Sequence, residues 1–176
     1  MKELNGPLGG GGKISEWYAS FSFSEEDIVF CASNGARVRQ LFRTIIPDMG
    51  AVASAGPEAQ KRTYGARSHA RQGGWGALSP EDMRRMAPII PQEARELLDA
   101  PNCPEEKMDL LIAPDQMIFQ IHESIGHPLE LDRILGDDRN YAGTSFITLE
   151  DFGDFHYGTS LLNVAFDPAQ AGQLAS

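Results

Sequence analysis

Two histidines and a glutamate lie close together in the second half of this 176-residue chain. The segment reads His122-Glu123-Ser124-Ile125-Gly126-His127 and holds half of the four histidines. In the common zinc-protease motif, His-Glu-x-x-His, two imidazoles one helical turn apart bind one zinc, and the glutamate takes a proton from the zinc-bound water. By the same chemistry, His122 and His127 are candidate zinc ligands and Glu123 is the candidate general base.

The spacing of these histidines is one residue longer than in the common motif, and this changes the geometry. On an ideal helix, positions i and i+5 lie about 140° apart around the axis, whereas i and i+4 lie about 40° apart. A π-turn would bring i and i+5 into register, and such turns are frequent at functional sites. Gly126 and Pro128 mark a place where the helix can distort. The alternative is a pair of surface histidines on an amphipathic helix that binds no metal.

Further polar residues follow the motif, and each has two interpretations. Glu130 projects about midway between the two histidines on an ideal helix, as a third ligand or as an acceptor for an imidazole N–H. Thr144 and Ser145 either donate hydrogen bonds to a substrate backbone or cap a loop. His156 is either a further metal ligand or, by our preferred interpretation, a histidine of a loop or strand edge.

The motif should be carried by a helix in the second half of the chain. Apolar residues recur at helical spacing from Pro114 to about Arg133, which predicts one amphipathic helix. An apolar run over Met108–Ala113 predicts a strand before it, and Phe155–Phe166 predicts a strand near the end. The residues between, Gly136–Gly143, are typical of a polar loop.

The first half of the chain has the pattern of an antiparallel sheet. Apolar and polar residues alternate from Ser15, which is the period of a strand. Asn34-Gly35 between two apolar runs predicts a hairpin, because both residues tolerate positive φ. The return strand and two weaker strands are expected over Val38–Ile46, Ala51–Ala55 and Gln60–Ala70.

Two helices should follow the sheet. Ser79 is a predicted N-cap, with Pro80 in the first turn and acidic residues behind it. A second helix is expected over Pro91–Asp99. The predicted fold class is α+β, an antiparallel sheet with packed helices. The expected division is a flexible leader (1–14), a sheet-and-helix part (15–104), a motif-bearing part (105–167) and a tail (168–176).

Composition excludes some classes of function. Fifteen basic against 25 acidic residues give a net charge of −10, which disfavours a nucleic-acid partner. No apolar run approaches the roughly 20 residues that span a bilayer, so no membrane association is expected. Two cysteines, Cys31 and Cys103, cannot form a multi-bridge framework, and no secretory signal begins the chain. A cytoplasmic location is the simplest expectation.

The motif and its surroundings resemble the TldD/PmbA family. The resemblance is most specific from Leu110 to Phe146, where an apolar run, a Pro-led helix with His-Glu-x-x-x-His-x-x-Glu and a Gly-Thr-Ser loop follow in order. It implies a TldD-type zinc metallopeptidase that acts on peptides or unfolded segments, with a PmbA/TldE-like partner subunit or self-association. By this resemblance His122 and His127 are the Zn²⁺ ligands and Glu123 is the catalytic base. Older descriptions call the family a modulator of DNA gyrase.

The resemblance also implies that part of the site lies outside this chain. Family proteins are much longer, and a β-rich C-terminal domain supplies a cysteine as the third zinc ligand. We therefore expect the chain to correspond to an internal fragment that lacks this ligand. The alternative function is a non-catalytic fragment that contributes sheet and interface to the assembly.

Overall fold

The computed structural model describes residues 2–174, without the side chain of residue 67. The chain forms two compact units, one from residues up to 104 together with those from 167 onward, and one from residues 105–166. The first unit contains a four-stranded antiparallel sheet with helices, and the second is built from helices and irregular segments. The α+β class is therefore confirmed. No helix among the described residues is long and apolar enough to cross a membrane.

A long hairpin dominates the sheet of the first unit. Strands β1 (Ile14–Cys31) and β2 (Arg37–Ala55) pair along almost their whole length, and β3 (Glu58–Gly65) pairs with the end of β2. A short strand, β4 (Arg71–Gln72), also pairs with β2. Strand β2 runs without interruption through the segment where the sequence predicts two separate strands.

The predicted hairpin turn is present, but its geometry differs from the expected one. Gly35 adopts a φ of 90°, whereas Asn34 keeps a negative φ. The Asn34 side chain instead accepts a hydrogen bond from the Ala36 N–H at 3.1 Å. The loop has three residues, so only its last residue, Gly35, adopts the left-handed conformation. This is the usual arrangement in three-residue hairpin loops that end on a glycine.

The segment predicted as a flexible leader contains a helix. Helix α1 (Lys2–Gly9) buries Leu4 and Leu8 in the main core of the first unit. These leucines are four residues apart, so they lie on one face of the helix and can contact the core together. The prediction of a flexible leader rested on the glycines and did not take account of this pair.

The two helices that follow the sheet complete this core. Helix α2 (Pro80–Met86) begins as predicted, with the Ser79 hydroxyl accepting from the Asp82 N–H. Helix α3 (Ile89–Asp99) begins before Pro91, which lies in its first turn, where the missing N–H costs no helical hydrogen bond. The core residues lie on α1, β2, α2 with its C-cap, and α3: Leu4, Leu8, Met49, Ala51, Met83, Ala87 and Ile90.

The second unit departs from the predicted single helix with flanking strands. Helix α4 (Pro114–Ile121) leads into a π-turn (His122–Gly126), a 3₁₀ turn (His127–Leu129) and helix α5 (Leu131–Leu135). No strand forms anywhere in residues 105–166, all of which the structure describes. Both predicted strands, 108–113 and 155–166, are therefore wrong. A strand needs a paired neighbour, and this unit offers none.

Replacing Leu8 with alanine tests whether α1 belongs to the folded core. Leu8 is fully buried, so Leu8→Ala should lower the free energy of unfolding by about 3 kcal/mol. Leu41→Ala is the control, because half of that side chain is already exposed on β2. Urea unfolding followed by circular dichroism measures both. Equal midpoints for the two variants would contradict the packing of α1.

Candidate metal centre

The local backbone of the motif is a π-turn, the conformation that would bring the two histidines into register. The His127 N–H donates to the His122 carbonyl, five residues back instead of four. Helix α4 ends at Ile121, so the change of register begins at the first histidine. A π-turn has more residues per turn than an α-helix, and it therefore brings positions i and i+5 to the same side.

The π-turn brings the two imidazoles and the glutamate together. The ring centroids of His122 and His127 are 4.2 Å apart, at an interplanar angle of 65°. One ligand atom each from His122, Glu123 and His127 lie within 4.8 Å of one another. Zinc accepts two imidazoles as ligands, and a carboxylate beside them can serve as the base, so the residues fit a divalent metal.

Exposure differs within this group. His122 and Glu123 are exposed, whereas His127 is half-buried. The site therefore opens to solvent on the side of His122 and Glu123. An open face is what a catalytic metal needs, because a structural site has four protein ligands and no free position.

Of its two predicted roles, Glu130 takes that of acceptor for an imidazole N–H. Its Oε1 lies 2.9 Å from Nδ1 of His127, and its Oε2 lies 2.5 Å from Nε of Arg133. Because a carboxylate only accepts, Nδ1 carries the proton in this pair, and Nε2 of His127 is left for a metal. The hydrogen bond with His127, followed by that with Arg133, holds the pKa of the Glu130 carboxyl below its usual value.

The Gly-Thr-Ser loop contacts the end of the motif through Ser145. The Ser145 hydroxyl donates to the Pro128 carbonyl at 2.6 Å and accepts from the Ile147 N–H at 2.9 Å. Ile147 is buried beside this contact, whereas Thr144 is exposed. Of the two interpretations of Ser145, the structure favours the loop cap over the substrate contact.

Other sequence candidates lie outside the group of ligand atoms. Among the described residues that could hold a metal, His156 does not join the two histidines and the glutamate. Tyr157, which the sequence interpretation overlooked, donates a hydrogen bond to the Ser124 carbonyl. Pro128 indicates from the sequence that the Ser124 carbonyl lacks its usual helical donor, because a proline has no N–H. It does not indicate which residue takes that place.

Removing the Glu130 carboxylate should weaken metal binding. Glu130→Ala takes away the acceptor that fixes the His127 ring, and zinc affinity should fall about tenfold. Competition with a chromogenic chelator measures it. Glu106→Ala, an exposed carboxylate in the same unit, is the matched control and should bind as the parent does. Unchanged affinity in Glu130→Ala would show that the imidazole needs no such support.

Comparison with known proteins gives two relatives named as metalloproteases. The chain is 29% identical to Metalloprotease MJ0996 of Methanocaldococcus jannaschii, over 78% of this chain and 34% of the relative. It is 27% identical to a metalloprotease of Methanothermobacter thermautotrophicus, over 78% of this chain and 33% of that protein. The chain thus spans about a third of the length of these relatives. No family model and no solved structure matches it. These similarities support a relationship to metalloproteases.

Proposed function

We propose that this chain carries the zinc-binding helix of a TldD-type metallopeptidase that cleaves peptides or unfolded segments of proteins. The observation that supports the proposal most strongly is the π-turn, because it makes a histidine pair at i, i+5 competent to bind one metal. Two relatives named as metalloproteases point the same way. The TldD type itself rests on the resemblance of the motif and its surrounding segments.

The proposed roles follow from the positions of the side chains. His122 and His127 hold Zn²⁺, and Glu130 keeps the His127 ring in the tautomer that leaves Nε2 free. A catalytic zinc site uses three protein ligands, and two come from this chain. The family resemblance implies that the third is a cysteine from another part of the longer protein.

Peptide-bond hydrolysis adds water across the scissile amide, and in this proposal Glu123 transfers the proton. When bound, zinc acidifies water and polarises a carbonyl. The Glu123 carboxylate accepts the proton from the attacking water and delivers it to the amine that leaves as the C–N bond breaks. Its exposure leaves room for a polypeptide at the open face of the site.

A second candidate function, assembly without catalysis, is favoured by one observation. The motif-bearing unit exposes several large apolar side chains, and exposed apolar residues that lie together usually mark an interface. We propose that it packs against a PmbA/TldE-like partner, another part of the longer protein or a second copy. The most exposed apolar side chains of this unit are Leu110, Leu111, Tyr141 and Leu161. A cytoplasmic location and the absence of nucleic-acid and membrane partners remain part of the proposal.

Two substitutions separate the role of the base from that of the ligands. Glu123→Gln should retain zinc and reduce hydrolysis of an unfolded polypeptide such as reduced casein by at least about 100-fold. His122→Ala should lose both zinc and hydrolysis. Metal analysis and peptide release measure the two effects in the longest folded form of the protein.

The outcomes discriminate between the candidate functions. Hydrolysis that survives in Glu123→Gln, or after a chelator has removed the zinc, would contradict a metallopeptidase mechanism with Glu123 as its base. Bound zinc without hydrolysis in the parent protein, together with association through the exposed apolar surface, would favour the assembly function.

A further inference from the structure

The motif contains a carbonyl that the helix itself cannot satisfy. In an α-helix each carbonyl accepts a hydrogen bond from the N–H four residues later. For Ser124 that residue is Pro128, which has no N–H. The N–H of the residue before it, His127, already donates to the His122 carbonyl in the π-turn. The Ser124 carbonyl therefore lacks the donor that a regular α-helix would supply, and a partly buried carbonyl without a partner is costly.

Tyr157 supplies this donor from 33 residues further along the chain. Its hydroxyl donates to the Ser124 carbonyl in a partly buried contact. The Tyr157 ring lies beside Phe146 and Phe155, with centroid distances of 5.8 and 5.9 Å. Two neighbouring rings restrict where the hydroxyl can point, and burial raises the pKa of Tyr157.

The side chain of Ser124 also has a hydrogen-bond partner. The Gln120 side-chain amide donates to the Ser124 hydroxyl. Gln120 lies in α4, before the change of register, whereas Tyr157 reaches the turn from a distant segment. Ser124, in the middle of the π-turn, is thus held both by the preceding helix and by the segment that follows the Gly-Thr-Ser loop.

We propose that Tyr157 is a positioning residue that holds the π-turn in the register where His122 and His127 face one metal. Its hydrogen bond satisfies the carbonyl that Pro128 leaves without a donor, and this stabilises the five-residue spacing against relaxation to other conformations. The link to metal binding rests on the proposed function. The effect on the turn does not, and it can be measured without metal.

The first test is amide hydrogen exchange of the metal-free chain in Tyr157→Phe. This substitution keeps the ring between its neighbours and removes only the hydroxyl. Exchange of the His127 amide should become about tenfold faster, since one hydrogen bond that supports the turn is lost. The Ile134 amide of α5, which donates to the Glu130 carbonyl, should keep its rate and so report that the unit remains folded. Tyr141→Phe, at an exposed tyrosine, is the matched control.

The second test measures zinc affinity, and asks whether a new backbone N–H at position 128 can replace the Tyr157 hydroxyl. Tyr157→Phe should bind zinc about tenfold more weakly than the parent, and Tyr141→Phe should bind as the parent does. Pro128→Ala restores an N–H four residues after Ser124. In that background Tyr157→Phe should therefore cost clearly less affinity. A merely structural role of the tyrosine would give the same loss in both backgrounds.

The outcomes separate the inference from the function on which it builds. Unchanged His127 exchange in Tyr157→Phe would overturn the role of Tyr157, whatever the chain does with metal. Equal acceleration at His127 and Ile134 would also overturn it, since the effect would then be general loosening. A parent chain that binds no zinc would contradict metal binding by this chain without the third ligand, and hydrogen exchange would still decide the role of Tyr157.

Discussion

The hydrogen bond from the His127 amide to the His122 carbonyl is the contact on which the candidate metal centre depends. It closes a turn of five residues, where an α-helix would close one of four. In a regular helix the same two rings would point about 140° apart, and no single ion could bind both. Because of this one contact, their centroids lie 4.2 Å apart and Glu123 lies beside them.

A π-turn is rarely stable through its own hydrogen bonds, and here later segments of the chain support it. Each contact satisfies a different polar group of the motif. Glu130 accepts from the His127 ring, Ser145 donates to the Pro128 carbonyl, and Tyr157 donates to the Ser124 carbonyl. The segment from 130 to 157 contains little regular structure, but its side chains form hydrogen bonds with the polar groups of the motif.

The features that the sequence predicts well are those determined by local geometry. The spacing of the histidines indicates that a π-turn is required if both rings are to bind one metal, and Asn34-Gly35 predicts the hairpin. The features that it predicts poorly depend on distant partners. The apolar runs 108–113 and 155–166 have the composition of strands, yet no neighbouring strand pairs with them. The contact of Tyr157 with the motif joins residues far apart in the chain, and no periodicity reveals such a pair.

X-ray absorption spectroscopy of the zinc-loaded chain tests the central claim most directly, because it counts the imidazoles bound to the metal. Two histidine nitrogens at about 2.0–2.1 Å from zinc are expected in the parent chain, since that is the usual zinc–imidazole distance. His127→Ala should reduce the count to one. A spectrum that fits a single imidazole in the parent would contradict the account, because it would mean that the π-turn does not bring both rings to one ion.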